Sequence, residues 1–363
     1  MIGIILSPTV IKNSLSGTGS PVVQFYEELA NKNNVDLCFY SFKRLSLKTR
    51  TVNGLVYEHR NGERARKTVP VPKVNLYRGY SYLKNKESID KVRYFIKNHN
   101  KVFLNVLTNE ERGKYSVHKY LETVDDLGPS LPETSTLSFS KMKDMADRYD
   151  KVYIKPKHSC KGNNIYMLEK SGSAFTMSHI KSANQTVKQI PDTELRNYYS
   201  STFKTPGRFI VQEGINSRKY KNQKFDLRVF TQKNKSGKWQ VTKIYVRIAD
   251  ECPFVSNADQ GGRLKFNVNP VLEPAIKKQV KKACIKTAKA LEAKNPHIVD
   301  LGLDVAIDKN DQVWLIEANF RPYRSKFDSK HYKVLFEHAV WCSRQNRDHQ
   351  SAEKAAEVPA SET

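Results

Sequence analysis

The sequence has few cysteines, few acidic residues and no long apolar run. Its five cysteines are scattered and form no Cys-x-x-Cys pair, which argues against a disulfide framework and a cysteine-based zinc site. No segment approaches the roughly 20 apolar residues of a membrane-spanning helix. Residues 1–7 form too short an apolar run for a signal peptide and lack a basic start. These absences favour a cytoplasmic protein with free thiols.

The scarcity of acidic residues leaves a large positive charge. Against 37 aspartates and glutamates stand 62 lysines and arginines, which gives a formal net charge of +25. This charge attracts nucleic acid, anionic membrane, nucleotide phosphates or an acidic protein, and it does not choose among them. The most basic helical stripe, residues 276–291, is typical of a core helix with a solvated lysine face. No aromatic residues interleave there, so a nucleic-acid helix is the weaker alternative.

The first 106 residues have the pattern of a small α/β domain. Apolar strands alternate with segments of helical spacing, as in a βαβ unit. Asn53-Gly54 and Asn61-Gly62 predict hairpin turns. Tyr77-Arg78, at the end of a predicted strand, is the candidate substrate-binding pair of this domain.

A β-hairpin is predicted for residues 302–319. Short apolar runs at 305–307 and 313–316 flank the polar turn 308–311. Acidic residues lie inside the strands as well as in the turn, which is unusual for a simple surface hairpin.

The acids of this hairpin are predicted to share one face. Side chains alternate along a strand, so Glu317 and Asn319 lie together, with Trp314 and Ala318 on the other face. A turn of two or four loop residues adds Asp304 to the acidic face, whereas a three-residue loop would not. Two carboxylates and an amide are hard oxygen ligands of the kind that Mg²⁺ prefers. The alternative is a surface hairpin with solvated acids.

Five stretches, in this order along the chain, resemble the ATP-grasp superfamily. Within it, the pattern is most similar to the YheC/YheD-like branch, which is named for spore-coat-associated proteins and is related to the RimK-type ligases. The stretches are Lys114 before a helix, Tyr153-Ile-Lys-Pro156, Val211-Gln-Glu-Gly-Ile215, Asp226-Leu-Arg228 with Arg247, and the hairpin ending in Glu317-Ala-Asn319. The resemblance implies an α/β (α+β) fold with two lobes that clasp ATP.

The resemblance also implies a division of the chain. We expect an N-terminal α/β pre-ATP-grasp domain at 1–106, a small lobe at 107–208 and a large lobe with the metal site at 209–343. From about residue 344 the chain is polar and rich in alanine and glutamate, which predicts a disordered tail at 344–363.

The ATP-binding residues implied by the resemblance begin with two lysines. Lys155, at the end of a strand, matches the family lysine that reaches the nucleotide phosphates, where its charge is needed. Lys114 matches an earlier phosphate lysine, and Lys119 is its competitor.

The phosphate loop departs from the family pattern. Ser159, Lys161 and Gly162 are its expected ATP contacts, but relatives usually have three glycines here and only Gly162 remains. Asn164 occupies another of the glycine positions, and asparagine tolerates a positive φ.

The stretch Gln212, Glu213, Gly214 and Ile215 matches the hinge that holds adenine through its backbone. Many relatives have glutamate at the position of Gln212. Because the expected base contact is made by backbone groups, this exchange is predicted to be mild.

Catalysis is expected to depend on Arg228 and Arg247, since a guanidinium binds phosphate or carboxylate in a bidentate manner. The resemblance implies two further sets of residues. The substrate contacts are Asp226, Asn257, Gly261 and Gly262, and the ligands of Mg²⁺, expected as two ions, are Asp304, Glu317 and Asn319.

The resemblance implies a carbon–nitrogen ligase that activates a carboxylate as an acyl phosphate and releases ADP. The acceptor is an amine or a thiol. The surplus positive charge favours an acidic peptide or carrier-protein acceptor, and a generally basic enzyme with small substrates is the alternative. A non-catalytic spore-coat protein on the same scaffold and a nucleic-acid-binding protein remain as further hypotheses. No membrane partner is expected.

Overall fold

The computed structural model describes residues 1–15, 20–78, 86–108, 111–158, 164–181, 184–249, 263–265, 268–320, 322 and 329–356. Three β-sheets and the helices packed on them organise this part of the chain, as the predicted mixed α/β class requires. No helix within it is both long enough and apolar enough to cross a membrane.

The first sheet contains the N-terminal strands. They are β1 (Ile2–Ile5), β2 (Leu37–Tyr40), β3 (Leu45–Ser46), β4 (Thr51–Glu58), β5 (Glu63–Pro70), β6 (Val74–Tyr77) and β7 (Val102–Leu104). Their order is β3-β4-β2-β1-β6-β7, with β5 paired to β4. Strands β2, β1, β6 and β7 are parallel and largely buried, which is expected when helices cover both faces of a sheet.

The other two sheets form the two lobes. The second contains β8 (Thr134–Thr136), β9 (Lys151–Pro156), β10 (Ile165–Ser171), β11 (Ala174–Lys181), β12 (Asn184–Pro191) and β13 (Phe209–Glu213). The third contains β14 (Lys219–Tyr220), β15 (Gln223–Lys233), β16 (Trp239–Ile248), β17 (Arg263–Lys265), β18 (Asp300–Ile307) and β19 (Val313–Asn319). Their orders are β12-β11-β10-β9-β13-β8 and β17-β16-β15-β18-β19, with β14 paired to β15.

Eight helices lie in the described part of the chain. They are α1 (Pro8–Leu15), α2 (Pro21–Asn33), α3 (Lys86–His99), α4 (Lys114–Leu121), α5 (Phe139–Arg148), α6 (Leu195–Thr202), α7 (Pro274–Lys294) and α8 (Ser329–Ala356). The apolar stripe of α7 packs on the third sheet through Val280, Cys284 and Leu291. The expectation of a core helix with an exposed lysine face is therefore confirmed.

Helices from both ends of the chain cover the first sheet. On one face Ile4 packs with Tyr26 of α2, and on the other Ile5 packs with Phe95 of α3. Helix α8 joins the first of these faces through Phe336, whose ring centroid lies 5.8 Å from that of Tyr26. The C-terminal helix is thus part of the core of the N-terminal sheet.

The predicted hairpin turn at Asn53-Gly54 is wrong, and the hairpin of β11 and β12 was not predicted. Asn53 and Gly54 lie within β4 and pair with β5, and a side chain at Gly54 would come within 2.7 Å of the Phe39 carbonyl oxygen. The glycine therefore serves close strand packing, and only the turn at Gly62 is present. The hairpin of β11 and β12 escaped prediction because β12 is an almost wholly exposed, polar edge strand.

The helical backbone of α8 continues past residue 344, where the sequence predicts a disordered tail to begin. Alanine and glutamate are common in this segment, and both favour helix. The predicted domain boundaries remain predictions. Cys38, Cys284 and Cys342 have free thiols, as expected.

We predict that Phe336→Ala lowers the free energy of unfolding by about 3–5 kcal/mol, the usual cost of emptying a buried aromatic site. Phe336 is fully buried, whereas Lys330, near the start of the same helix, is exposed. Urea unfolding followed by circular dichroism measures the change. Lys330→Ala is the control, and an equally small effect of both substitutions would show that α8 is not packed on the first sheet.

Candidate active site

The hairpin of β18 and β19 brings the predicted acidic residues together. Asp304 lies directly opposite Glu317, and Nδ2 of Asn319 donates to Oδ2 of Asp304 at 3.4 Å. Ile307 pairs with Val313, so the loop between them has an odd number of residues, which alone would place Asp304 on the other face. A β-bulge after Asp304 restores the shared face. The predicted face is present, but the bulge creates it.

The same bulge corrects the predicted position of Trp314. Leu315 belongs to the hydrophobic core and Ala318 packs against it, so Trp314 and Glu317 both lie on the opposite side of the hairpin. Nε1 of Trp314 donates to Oδ2 of Asp308 at 3.0 Å. The predicted alternation of side chains along β19 failed here, because an extra residue in one strand reverses the face on which the following side chains lie.

Two arginines from neighbouring strands bind Asp304. Arg228 of β15 contacts both carboxylate oxygens, through Nε and through Nη2 at 3.0 Å. Nε of Arg247 on β16 donates to Asp226, and its Nη2 lies 3.2 Å from Oδ1 of Asp304. Asp304 and Arg247 are only 8% and 7% exposed. The predicted pair of arginines is thus adjacent, and it is held by acids of the same site.

These ion pairs decide the charge state of Asp304. Burial alone would raise the pKa of this carboxyl, but the charges of Arg228 and Arg247 outweigh it and keep the pKa below its usual value. Burial would likewise lower the pKa of Arg247, whereas Asp226 and Asp304 raise it by more. Asp304 and Arg247 are therefore ionised at neutral pH.

Lys155 ends β9, as predicted, and is held by the hinge strand. Its Nζ donates to Oε1 of Gln212 at 2.7 Å, and Nε2 of the buried Gln212 donates to Oγ1 of Thr134 at 3.0 Å. Burial, and next the positive charge of Lys114, lower the pKa of Lys155 to about 8. Gln212 is neutral, so it positions the ammonium without neutralising it. No sequence pattern predicted this side-chain role for Gln212.

The contacts of the two early lysines favour Lys114 over Lys119 as the second phosphate lysine. Nζ of Lys114 lies 3.2 Å from Oε2 of Glu317, and the Lys114 side chain is 16% exposed. Lys119 is 47% exposed and pairs with Glu122 on its own helix. Lys114 is therefore the lysine that faces the candidate metal ligands.

Lys224 is a member of the site that the sequence analysis missed. Its Nζ donates to the hydroxyl of Tyr153 at 2.8 Å, which joins β15 of the third sheet to β9 of the second. Its charge is among those that lower the pKa of Lys155, so the two cations face each other between the sheets. Lys224 lies two residues before Asp226, and only the pairing of distant strands reveals its position.

The hinge residues connect β13 to the neighbouring strands. The N–H groups of Glu213 and Gly214 donate to the carbonyl oxygens of Glu133 and Lys151, both at 2.9 Å. A side chain at Gly214 would lie 2.7 Å from the Lys151 carbonyl oxygen, which explains the glycine. Ile215 is buried beside them. The predicted adenine contact of this segment remains a prediction.

Part of the predicted site lies outside the described residues. These positions are Ser159, Lys161, Gly162, Asn257, Gly261 and Gly262. At the end of the phosphate loop, Asn164 has a φ of 59°, as its substitution for glycine predicts. Its Oδ1 lies 2.8 Å from Nε2 of His179, which stacks on Tyr166 at 3.9 Å.

The site contains more positive than negative charge. Its carboxylates are Asp226, Asp304 and Glu317, and its cations are Arg228, Arg247, Lys114, Lys155 and Lys224. Among the described residues, five cations against three carboxylates give an excess of two positive charges. Such an excess favours the binding of an anion between the two sheets.

The hairpin face also suits a hard cation. Asp304, Glu317 and Asn319 offer carboxylate and amide oxygens, the donor set that Mg²⁺ prefers. In the described part of the chain no three or more histidine, cysteine, aspartate or glutamate side chains cluster as a metal site. The candidate set reaches three ligands only through the amide of Asn319. Glu317, with 26% exposure, is more accessible than Asp304.

The fold is that of the ATP-grasp ligases. The D-alanine-D-alanine ligase from Coxiella burnetii matches with a TM-score of 0.50 and 11% identity over 99% of this chain and 98% of the ligase. The ATP-grasp ligase PsnB, solved with precursor peptide PsnA2 and AMPPNP, matches with a TM-score of 0.51 and 12% identity over 95% and 98% of the two chains.

Sequence comparison gives the family. The model of the YheC/D-like ATP-grasp family matches residues 102–342. Endospore coat-associated protein YheD of Bacillus subtilis is 30% identical over 334 residues, which are 84% of this chain and 70% of YheD. The corresponding protein YheC is 21% identical over 58% of this chain and 60% of its own length. The chain therefore belongs to the YheC/D-like ATP-grasp family, as the sequence motifs predicted.

We predict that the affinity for a non-hydrolysable ATP analogue falls as the pH rises through about 8, the pKa of Lys155. The ammonium form exists below this pKa and is lost above it, and it supplies the charge that phosphate needs. Lys155→Arg retains the charge at higher pH and should remove this fall. Lys155→Ala should weaken binding by roughly ten- to a hundredfold, the value of a hydrogen bond to a charged group, and Lys114→Ala less.

Calorimetric titration from neutral pH to above about pH 9 measures these affinities. Lys119→Arg is the matched control, because Lys119 is exposed and paired with Glu122. Identical pH profiles for the wild type and Lys155→Arg would contradict the assigned role of Lys155.

Proposed function

We propose that this chain is an ATP-dependent ligase that joins a carboxylate to an amine, or to a thiol, through an acyl phosphate. The observation that supports this most directly is the excess of two positive charges where the second and third sheets face each other. ATP with about four negative charges and one Mg²⁺ brings a net charge of about minus two, which balances this excess. We propose ATP and Mg²⁺, as two ions, as the cofactors; this balance counts one ion, and the charge of the second is offset in part by the carboxylate of the substrate.

The residues of the hairpin and the two arginines would have different roles in the reaction. Glu317, Asn319 and Asp304 would hold Mg²⁺, which when bound neutralises phosphate charge. Both oxygens of Asp304 are engaged by arginines, so Glu317 is the carboxylate best placed to receive the first ion. Arg228 and Arg247 stabilise the negative charge that develops on the transferred phosphoryl group, because they are fixed before the reaction begins.

The phosphoryl step needs no protein nucleophile. The substrate carboxylate attacks the γ-phosphorus, and the bond to the β,γ-bridging oxygen breaks as ADP leaves. The acceptor nitrogen or sulfur then attacks the acyl carbon and phosphate departs. Lys155 and Lys114 hold phosphate oxygens during the first step, and Gln212 keeps Lys155 in place.

A second candidate function follows from the relatives. Both curated relatives are described as endospore coat-associated, which names a location and no reaction. A structural protein on this scaffold would have no need to hold cations such as Lys155 and Lys224 between the second and third sheets. Turnover of ATP distinguishes the two functions. A location in the cytoplasm remains our prediction.

For the acceptor we propose an acidic peptide or carrier protein. PsnB, which has the same fold, was solved with a precursor peptide. In this chain the surplus charge of +25 lies largely beyond the site, for example along the exposed lysines of α7. Such a field favours encounters with an acidic macromolecule.

We predict that Glu317→Ala and Asn319→Ala abolish Mg²⁺-dependent ADP release and leave the melting temperature nearly unchanged. Both side chains are partly exposed, so their removal opens no cavity in the core, and Lys114, the partner of Glu317, is itself partly exposed. Hydroxylamine, which traps an acyl phosphate as a hydroxamate, reports the intermediate. Asp308→Ala, in the turn of the same hairpin, is the control. Full activity of Glu317→Ala would disprove the metal assignment.

We predict a steep fall of kcat/KM with salt for an acidic peptide acceptor and a shallow fall for a neutral small amine. Raising the ionic strength from about 0.05 M to about 0.3 M screens exposed charges, and it affects the buried pairs of the site much less. Equal, shallow dependence for both acceptors would refute the acidic acceptor and leave the ligase activity intact.

A further inference from the structure

The N-terminal sheet has a topological switch point at its centre. From β1 the chain passes through α1 and α2 to β2 on one side, whereas β6 pairs with β1 on the other side and is followed by α3 and β7. The helices α2 and α3 consequently cover opposite faces of the sheet. In open α/β sheets, ligands bind outside the carboxyl ends of the strands at such a point.

Arg78 lies at this switch point. It directly follows β6, and its N–H donates to the carbonyl oxygen of Ile5, the last residue of β1, at 2.9 Å. Its guanidinium lies over the ring of Tyr332 from α8, with Cζ 3.7 Å from the ring centroid. This stacking restricts the guanidinium and leaves its edge for hydrogen bonds.

The edge of Arg78 is incompletely satisfied. Its Nε and the hydroxyl of the buried Tyr26 have no hydrogen-bond partner among the described residues. Buried polar atoms are nearly always paired, so two such atoms in one place need an explanation. Arg78 as a whole is partly exposed, whereas its Nε is buried, so a ligand would reach the guanidinium through the remaining exposed part of the side chain.

The third sheet connects Arg78 to the candidate active site. Tyr332, on which Arg78 stacks, follows His331, whose Nε2 contacts Asp300, so Arg78 lies near the start of β18. Tyr26, Tyr332 and Asp300 raise the pKa of Arg78 by more than burial lowers it. Asp300 begins β18 and lies on the same strand face as Asp304. Nε2 of His331 lies 3.1 Å from Oδ2 of Asp300.

The separation along β18 sets a length for the substrate. Four residues separate Asp300 from Asp304, which is on the order of 13 Å at roughly 3.3 Å per residue. A substrate that presents one carboxyl group to Arg228 and Arg247, at Asp304, and a second group to Arg78, near Asp300, must span a distance of this order. An extended peptide of about four residues has this length.

We propose that Arg78, stacked on Tyr332, anchors a second carboxylate of an extended, peptide-like acid whose first carboxyl group is activated at Arg228 and Arg247. The anchor rests on the proposed ligase function and adds to it the class of the acid. The carboxylate accepts hydrogen bonds from the guanidinium in the bidentate manner that arginine favours. Tyr26 and Tyr332 form the walls around it.

The experiment uses the full chain with Mg²⁺ and AMPPNP, and tetraglutamate as the probe. Tetraglutamine, of the same length but without side-chain carboxylates, is the control peptide. We expect tetraglutamate to bind the wild type more tightly, Arg78→Gln to lose roughly tenfold or more of this affinity, and Arg78→Lys to lose part of it because it lacks the fork. Arg93→Gln, an exposed position on α3 with the same change of charge, should bind as the wild type does.

Two further measurements separate the possible failures. The affinity for AMPPNP alone should be unchanged in Arg78→Gln, and its loss across all variants would concern the ATP site and not the anchor. Thermal melting without peptide reports any structural cost of the substitution. Equal binding of the two peptides by the wild type, or equal tetraglutamate affinity in Arg78→Gln and Arg93→Gln, would overturn the proposal.

Discussion

The buried ion cluster around Asp304 is the constraint on which the site depends. A carboxylate at this depth is stable only when cations share its surroundings, and two arginines supply them. The contact with Arg228 spans the pairing of β15 with β18, and the contact with Arg247 reaches one strand further. A shift of register in either pairing would leave a buried charge without a partner. The cluster therefore fixes the strands that also carry Glu317 and Asn319.

Neutralisation within this cluster determines where the free charge lies. Asp226 and Asp304 balance the two arginines, so these groups together carry no net charge. The lysines supply the remaining positive charge, and among them Lys114 lies against Glu317. Lys155 is held by the neutral amide of Gln212, and Lys224 contacts the hydroxyl of Tyr153. The charge of Lys155, positioned by an amide that does not neutralise it, is what a polyphosphate requires.

Sequence patterns predicted the elements of the site better than the contacts between them. Asp304, Glu317 and Asn319 were placed on one face by counting along a hairpin, and Arg228 and Arg247 were placed on adjacent strands. The count succeeded only because a bulge offset an odd loop, and the position of Trp314 shows where counting alone fails. A bulge has no sequence signature here, since its extra residue, Ile316, is an ordinary strand former.

Contacts between distant strands were beyond prediction for a different reason. Gln212 and Lys155 lie on adjacent strands, 57 positions apart in sequence, and no local pattern encodes which side chains meet across such a pair. The same holds for Lys224 and Tyr153, which belong to different sheets. A likeness of motifs identifies positions one at a time, so it assigned Gln212 to the hinge and missed its contact with the phosphate lysine.

The C-terminal helix α8 connects the first sheet to the third. Only a short stretch of chain separates Asn319, the last candidate metal ligand, from the start of α8 at Ser329. Helix α8 packs into the core of the N-terminal sheet, while its His331 binds Asp300 of β18. The hairpin that carries the acids is therefore tied at both strands to one helix, and this helix is part of the domain that carries Arg78.

Movement of the N-terminal domain away from the third sheet would have to break the buried contact of His331 with Asp300. The second sheet is joined to the third through Tyr153 and Lys224, and the long lysine side chain tolerates displacement. If the two lobes open to admit ATP, the second sheet is accordingly the part that moves, and the first and third sheets move as one body.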